Sequence, residues 1–79
     1  METYLSLEYD SIGDILYLNK RKRYPEQETE ELDYGLIARF NPTTGAIENL
    51  EILFFSVRLS SGESLQLPIR ADFQMLQPA

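Results

Sequence analysis

The sequence predicts a small, mainly β protein: an antiparallel sheet of about five strands built from hairpins, becoming α+β only if the C-terminal tail is helical. Three observations predict it. Apolar residues recur at every second position near both ends of the chain, strong turn residues fall between the short apolar runs, and 79 residues leave room for one domain over residues 1–79.

From Thr3 to Tyr9, Leu5, Leu7 and Tyr9 alternate with Tyr4, Ser6 and Glu8, the period of a strand. Asp10, Ser11 and Gly13 then supply turn chemistry, so Ile15 to Leu18 returns as the second arm of a hairpin. Asn19 to Asp33, polar and containing Pro25, reads as the longest loop. Leu36, Ala38 and Phe40 alternate with Ile37, Arg39 and Asn41 in a third strand, and Gly35 at its entrance predicts a bulge or a close backbone approach. Asn41 to Gly45 is the clearest turn, with Pro42 presetting φ and Gly45 free to take the left-handed conformation. A fourth strand is expected from Ile47 to Val57, antiparallel to the third. An even-sum register between them places Arg39 and Glu51 on one face, as an ion pair contributing ~0.2–1 kcal/mol if exposed. A bulge at Gly45 would change that parity. After the turn at Ser60, Ser61 and Gly62, the odd-numbered apolar residues from Leu65 to Met75 predict a fifth strand, with Pro68 tolerated at a sheet edge.

Composition excludes more than it assigns. Without cysteine there are no disulfides, thiol nucleophiles or thiolate zinc sites, and without histidine the commonest general base and metal ligand is missing. Ser56, Ser60 and Ser61 therefore lack a histidine base, and the scattered glycines form no phosphate loop. A net charge of −6 opposes nucleic-acid binding, so stacking of Tyr4, Tyr9, Tyr17, Tyr24 and Tyr34 on bases is not expected. Lys20, Arg21, Lys22 and Arg23 are answered by Glu26, Glu28, Glu30, Glu31 and Asp33, which reads as a solvated loop that neutralises itself. No apolar run approaches the ~18 residues of a membrane span, and Glu2, Glu8 and Asp10 do not suit a signal peptide. The expectation is a cytoplasmic protein with no membrane partner, no cofactor and no metal.

The string from Tyr9 to Leu18, the acidic segment ending at Gly35, and Ile47 to Leu53 with Ser56 together resemble a family of short bacterial proteins catalogued as domain of unknown function 2283. The likeness spans about residues 5–56. Gly13 stands where an alanine is usual in that family and Asn49 where a glycine is usual. The resemblance implies a small β-rich fold and brings no activity, cofactor or catalytic residue.

Two functional readings follow. Asp10, Asp14 and Glu51 lie inside strongly patterned segments; converging, they would give a small carboxylate-based or divalent-metal-dependent enzyme. Separately, Asp10 closes its turn, Asp14 caps exposed amides and Glu51 pairs with Arg39. The second reading starts from the fourth strand, where Leu50, Ile52 and Phe54 cannot share a face with Leu53, Phe55 and Val57. Both faces then need cover, from the folded-back tail or from a second copy. Leu53, Phe54, Phe55, Val57, Leu67, Ile69 and Phe73 are the interface candidates of a homodimeric, non-enzymatic interaction module whose acidic surface suits a basic protein partner.

Overall fold

The computed structural model describes residues 4–77 and contains β1 (Ser6–Asp10), β2 (Ile15–Asn19), β3 (Glu28–Asp33), β4 (Leu36–Phe40), β5 (Ile47–Leu53) and α1 (Phe55–Ser60). All neighbouring strands are antiparallel, in the order β1-β2-β5-β4-β3. Two local units, the β1–β2 hairpin and the β3–β4–β5 meander, thus meet along one seam between β2 and β5. Thr3, where the first strand was expected to begin, lies outside the described residues. Among those residues no helix is long and apolar enough to cross a membrane.

Because directly paired residues project to the same face, the register defines both faces. Leu7 pairs with Leu18, Leu18 with Leu50 and Leu50 with Ala38; Tyr9, Leu16, Ile52 and Leu36 form the next row. This is the apolar face. Its centre is the buried core of Leu36, Ala38, Leu50 and Ile52, with Leu16, Leu18, Leu32, Phe40, Ile47, Phe55, Leu67 and Ile69 packed around it. Burying each large side chain contributes about 1.5–3 kcal/mol. The other face carries Tyr17, Asn19, Arg39, Asn49 and Glu51.

Three expectations are corrected. First, the segment from Asn19 to Asp33 is not one loop, since Glu28–Asp33 forms edge strand β3. Its only apolar residue is Leu32, so it shows no alternation; it is held by backbone pairing to β4 and keeps its acids in water. Second, the strand expected to reach Val57 ends at Leu53. Phe54 adopts a left-handed conformation at φ 56° and ψ 39°, and α1 follows. Third, residues 65–75 contain no strand, although Leu67 and Ile69 do fold back over the apolar face. Pro68 removes one backbone donor there, and the tail holds its place through side chains. The register shift lies between Arg39 and Phe40, which pair with Asn49 and Ile47 and leave Glu48 as an extra residue on β5.

The even-sum register holds over Leu36 to Arg39, and the Arg39 Nε–Glu51 Oε2 pair forms at 2.7 Å. The turn after β4 is also as expected: Asn41 Oδ1 accepts from the amides of Thr43 and Thr44 at 2.8 and 2.9 Å, and Gly45 has φ 76°.

Candidate functional site

The three carboxylates singled out by the sequence are engaged separately. Asp10 Oδ1 accepts from the amides of Ile12 and Gly13 at 3.0 and 3.2 Å, which closes the β1–β2 turn. Glu51, buried at 7% exposure, is bound by Arg39. Asp14 reaches across the chain to α1: its carboxylate accepts from the Ser56 amide at 2.9 Å, the Ser56 hydroxyl at 2.7 Å and the Tyr9 hydroxyl at 2.6 Å. Its carbonyl accepts from the Phe55 amide at 3.1 Å. The first amides of a helix lack intrahelical acceptors, and Phe54 provides no side-chain cap, so Asp14 performs that duty from 42 residues away. The Tyr9 hydroxyl, followed by the Ser56 groups, holds the Asp14 carboxyl below its ordinary range, while Asp14 pushes the Tyr9 phenol up. Among the described residues, no group of three or more His, Cys, Asp or Glu side chains is arranged to hold a metal ion.

The densest polar cluster was not singled out by sequence. Asn49, 1% exposed, accepts from Gln27 Nε2 at 2.7 Å and donates to Asn19 Oδ1 at 2.8 Å and the Arg21 carbonyl at 2.6 Å. Gln27 Nε2 also reaches Glu48 Oε1 at 3.1 Å, so the adjacent side chains of Glu48 and Asn49 lie on the same side. The bulge makes that arrangement available, since consecutive residues of a regular strand face opposite ways. Glu48 further accepts from the Tyr24 hydroxyl at 2.7 Å and Asn41 Nδ2 at 3.2 Å, and lies 3.5 Å from Arg21 Nη1. The Tyr24 hydroxyl first, then Gln27, Asn41 and Arg21, bring the Glu48 carboxyl down to about 2 against the opposing effect of burial.

This cluster also corrects the picture of a self-neutralising loop. Arg21 lies 4.6 Å over the Tyr24 ring and Arg23 4.6 Å over Tyr17, so both cations sit on aromatic faces of their own chain. The 20–27 segment is a strap fastened to β5. The available signal was the adjacent polar pair Glu48–Asn49 in a strand whose other residues, Glu51 apart, are apolar.

Of the interface candidates, Phe55, Leu67 and Ile69 pack on the protein's own core. Phe55 also meets the Tyr9 ring at 5.9 Å. Leu53 is half-buried, and Phe54, 44% exposed, stacks on Tyr34 at 5.7 Å. Strand alternation therefore does not run through Val57: Phe54 and Phe55 take different neighbours because a left-handed residue starts a helix. Val57 and Phe73 are exposed.

Exposed apolar side chains also occur where they were not singled out as interface candidates. Leu5, Leu7 and Tyr9 are 46%, 61% and 49% exposed along the outer strand and its approach. Beside them an open groove of about 680 Å³ runs between Tyr4 and Leu5 before β1, Leu18 of β2, and Ile69, Phe73 and Leu76 of the tail.

Set against family models, curated proteins and solved structures, the chain finds no match in any of the three.

Proposed function

We propose that this protein is a non-enzymatic interaction module that acts as a homodimer and offers its acidic surface to a basic protein partner. The observation that carries this reading is the exposed apolar row Leu5, Leu7 and Tyr9 along the outer strand and its approach. Contiguous apolar surface bordered by polar residues is characteristic of a contact surface. The engagement of Asp10, Asp14, Glu48 and Glu51 supports the same reading, because each of these four carboxylates accepts hydrogen bonds that hold the fold.

A basic partner is favoured by the net charge of −6 and by β3, where the side chains of Glu28 and Glu30 make no ion pair or hydrogen bond among the described residues. Such surfaces accelerate encounter with an oppositely charged protein. The resemblance to the uncharacterised family suits this reading without adding an activity.

Light scattering on the eluting peak tests the assembly. A mass of twice 9.2 kDa is expected, and a mass of 9.2 kDa across the micromolar range overturns it. For the partner, immobilised protein is expected to retain a basic partner from native lysate at low salt and release it as ionic strength rises. Retention unaffected by salt would refute the electrostatic reading.

A further inference from the structure

Resting on the homodimer reading, we infer that two copies join through β1 alone, as an isologous antiparallel β1–β1 pair centred on Leu7 that closes the sheet at ten strands. The sheet has two edges, β1 and β3, and their chemistry differs. An exposed edge is a row of unpaired amides and carbonyls that accepts another strand unless something guards it. In β3 four of six residues are acidic, Glu28, Glu30, Glu31 and Asp33, so a second β3 would meet like charges along its whole length. A β1-to-β3 contact would bring Glu8 and Asp10 against those same acids and, being head-to-tail, would leave an edge open for further growth. Pairing β1 with β1 closes on itself and leaves only acidic strands at the two outer ends.

Side chains select the register. With Leu7 opposite Leu7 of the second copy, Leu5 faces Tyr9 on the apolar side and Ser6 faces Glu8 on the other. The apolar row then continues across the junction, with Tyr9 of the second copy brought opposite Leu5 at the mouth of the groove. Moving the centre to Glu8 sets two Glu8 carboxylates directly opposite each other, which is destabilising. Moving it to Ser6 leaves Ser6 opposite Ser6 as the one facing pair drawn wholly from Ser6–Asp10. An odd shift places Leu7 on the face of Glu8.

The absence of native cysteine makes the test clean, because each single-cysteine variant has one thiol. At the centre of an antiparallel pair, facing Cα atoms are ~4.5–5.5 Å apart, within the range a disulfide spans. Under mild oxidation with diamide, Leu7→Cys is expected to convert to a covalent dimer. Leu5→Cys, whose two copies would lie ~14 Å apart along the strands, is expected to remain uncrosslinked. Leu7→Lys, at a position already 61% exposed, is expected to keep the circular dichroism of the parent and weaken the dimer by at least about tenfold. Efficient crosslinking of Ser6→Cys or Glu8→Cys in place of Leu7→Cys overturns the register. A doubled mass with no crosslink at positions 5 to 8 overturns the edge contact while leaving the homodimer standing. A monomeric mass overturns both.

Discussion

Asn49 is the position at which the structure makes its sharpest energetic claim. It is 1% exposed and joins β5 to Gln27, Asn19 and the Arg21 carbonyl through bonds of 2.7, 2.8 and 2.6 Å. Replacing it with alanine removes all three. Gln27 keeps its bond to Glu48, but the Asn19 oxygen and the Arg21 carbonyl lose a donor in a part-buried setting. At ~0.5–1.5 kcal/mol net per hydrogen bond, with an added cost where an acceptor is left unpaired, Asn49→Ala should destabilise by about 2–4 kcal/mol. A 79-residue domain has a total stability of only ~4–12 kcal/mol. The melting temperature should therefore fall by roughly 10–25 °C. Thermal and urea unfolding followed by far-ultraviolet circular dichroism measures both quantities. Gln27→Ala, which leaves the donor bonds of Asn49 intact, should cost less, and the double variant should show a coupling of at least ~0.5 kcal/mol. An Asn49→Ala protein within ~0.5 kcal/mol of the parent would refute the claim that this cluster fastens the strap to the sheet.

Two further perturbations separate local causes. The Glu48 carboxyl is depressed from 4.5 to about 2 in the folded protein, so its contribution is complete above pH 4.5 and is lost as pH falls toward 2. Glu48→Gln should accordingly flatten the stability profile over that window, as read from urea midpoints; profiles that stay parallel would contradict the assignment. Gly35 and Gly45 both have positive φ, at 70° and 76°, but a Cβ at Gly35 would lie 2.6 Å from Arg58 Nη2, whereas nothing lies within 4 Å at Gly45. Gly45→Ala should show only the left-handed penalty of ~1–2 kcal/mol, and Gly35→Ala should cost more because Arg58 is tethered to the Leu53 and Tyr34 carbonyls. Equal losses in urea unfolding would show that the Arg58 contact is dispensable.

The parts of this fold legible in the sequence are those written in alternation and turn chemistry. The β1–β2 hairpin, the Asn41–Gly45 turn and the Arg39–Glu51 pair follow from period-2 patterning and from Asp, Asn, Pro and Gly at turn positions. β3 was hidden because a water-facing edge strand needs no apolar partner, and its charges read as loop. α1 was hidden because the groups that end β5 and begin the helix come from Asp14, Tyr34 and Gly35, distant in sequence from Phe54. The tail reads as a strand by its period, yet of its alternating residues Leu67 and Ile69 serve as side-chain cover without a backbone ladder, while Phe73 and Met75 stay exposed. Of the candidate site, the separate duties of Asp10, Asp14 and Glu51 were weighed in the sequence, whereas the Glu48–Asn49 cluster depends on a bulge whose position no local pattern marks.

The single seam between β2 and β5 has a kinetic consequence. Each of the two units it joins contains only contacts between neighbours in sequence, which form early at little entropic expense. The seam alone brings together residues such as Leu16 and Ile52, and its closure completes the latch between Asp14 and Ser56. The meeting of these two pieces is therefore expected to set the refolding rate. Weakening the seam should slow refolding, while damage at β3 should chiefly hasten its escape from the native state.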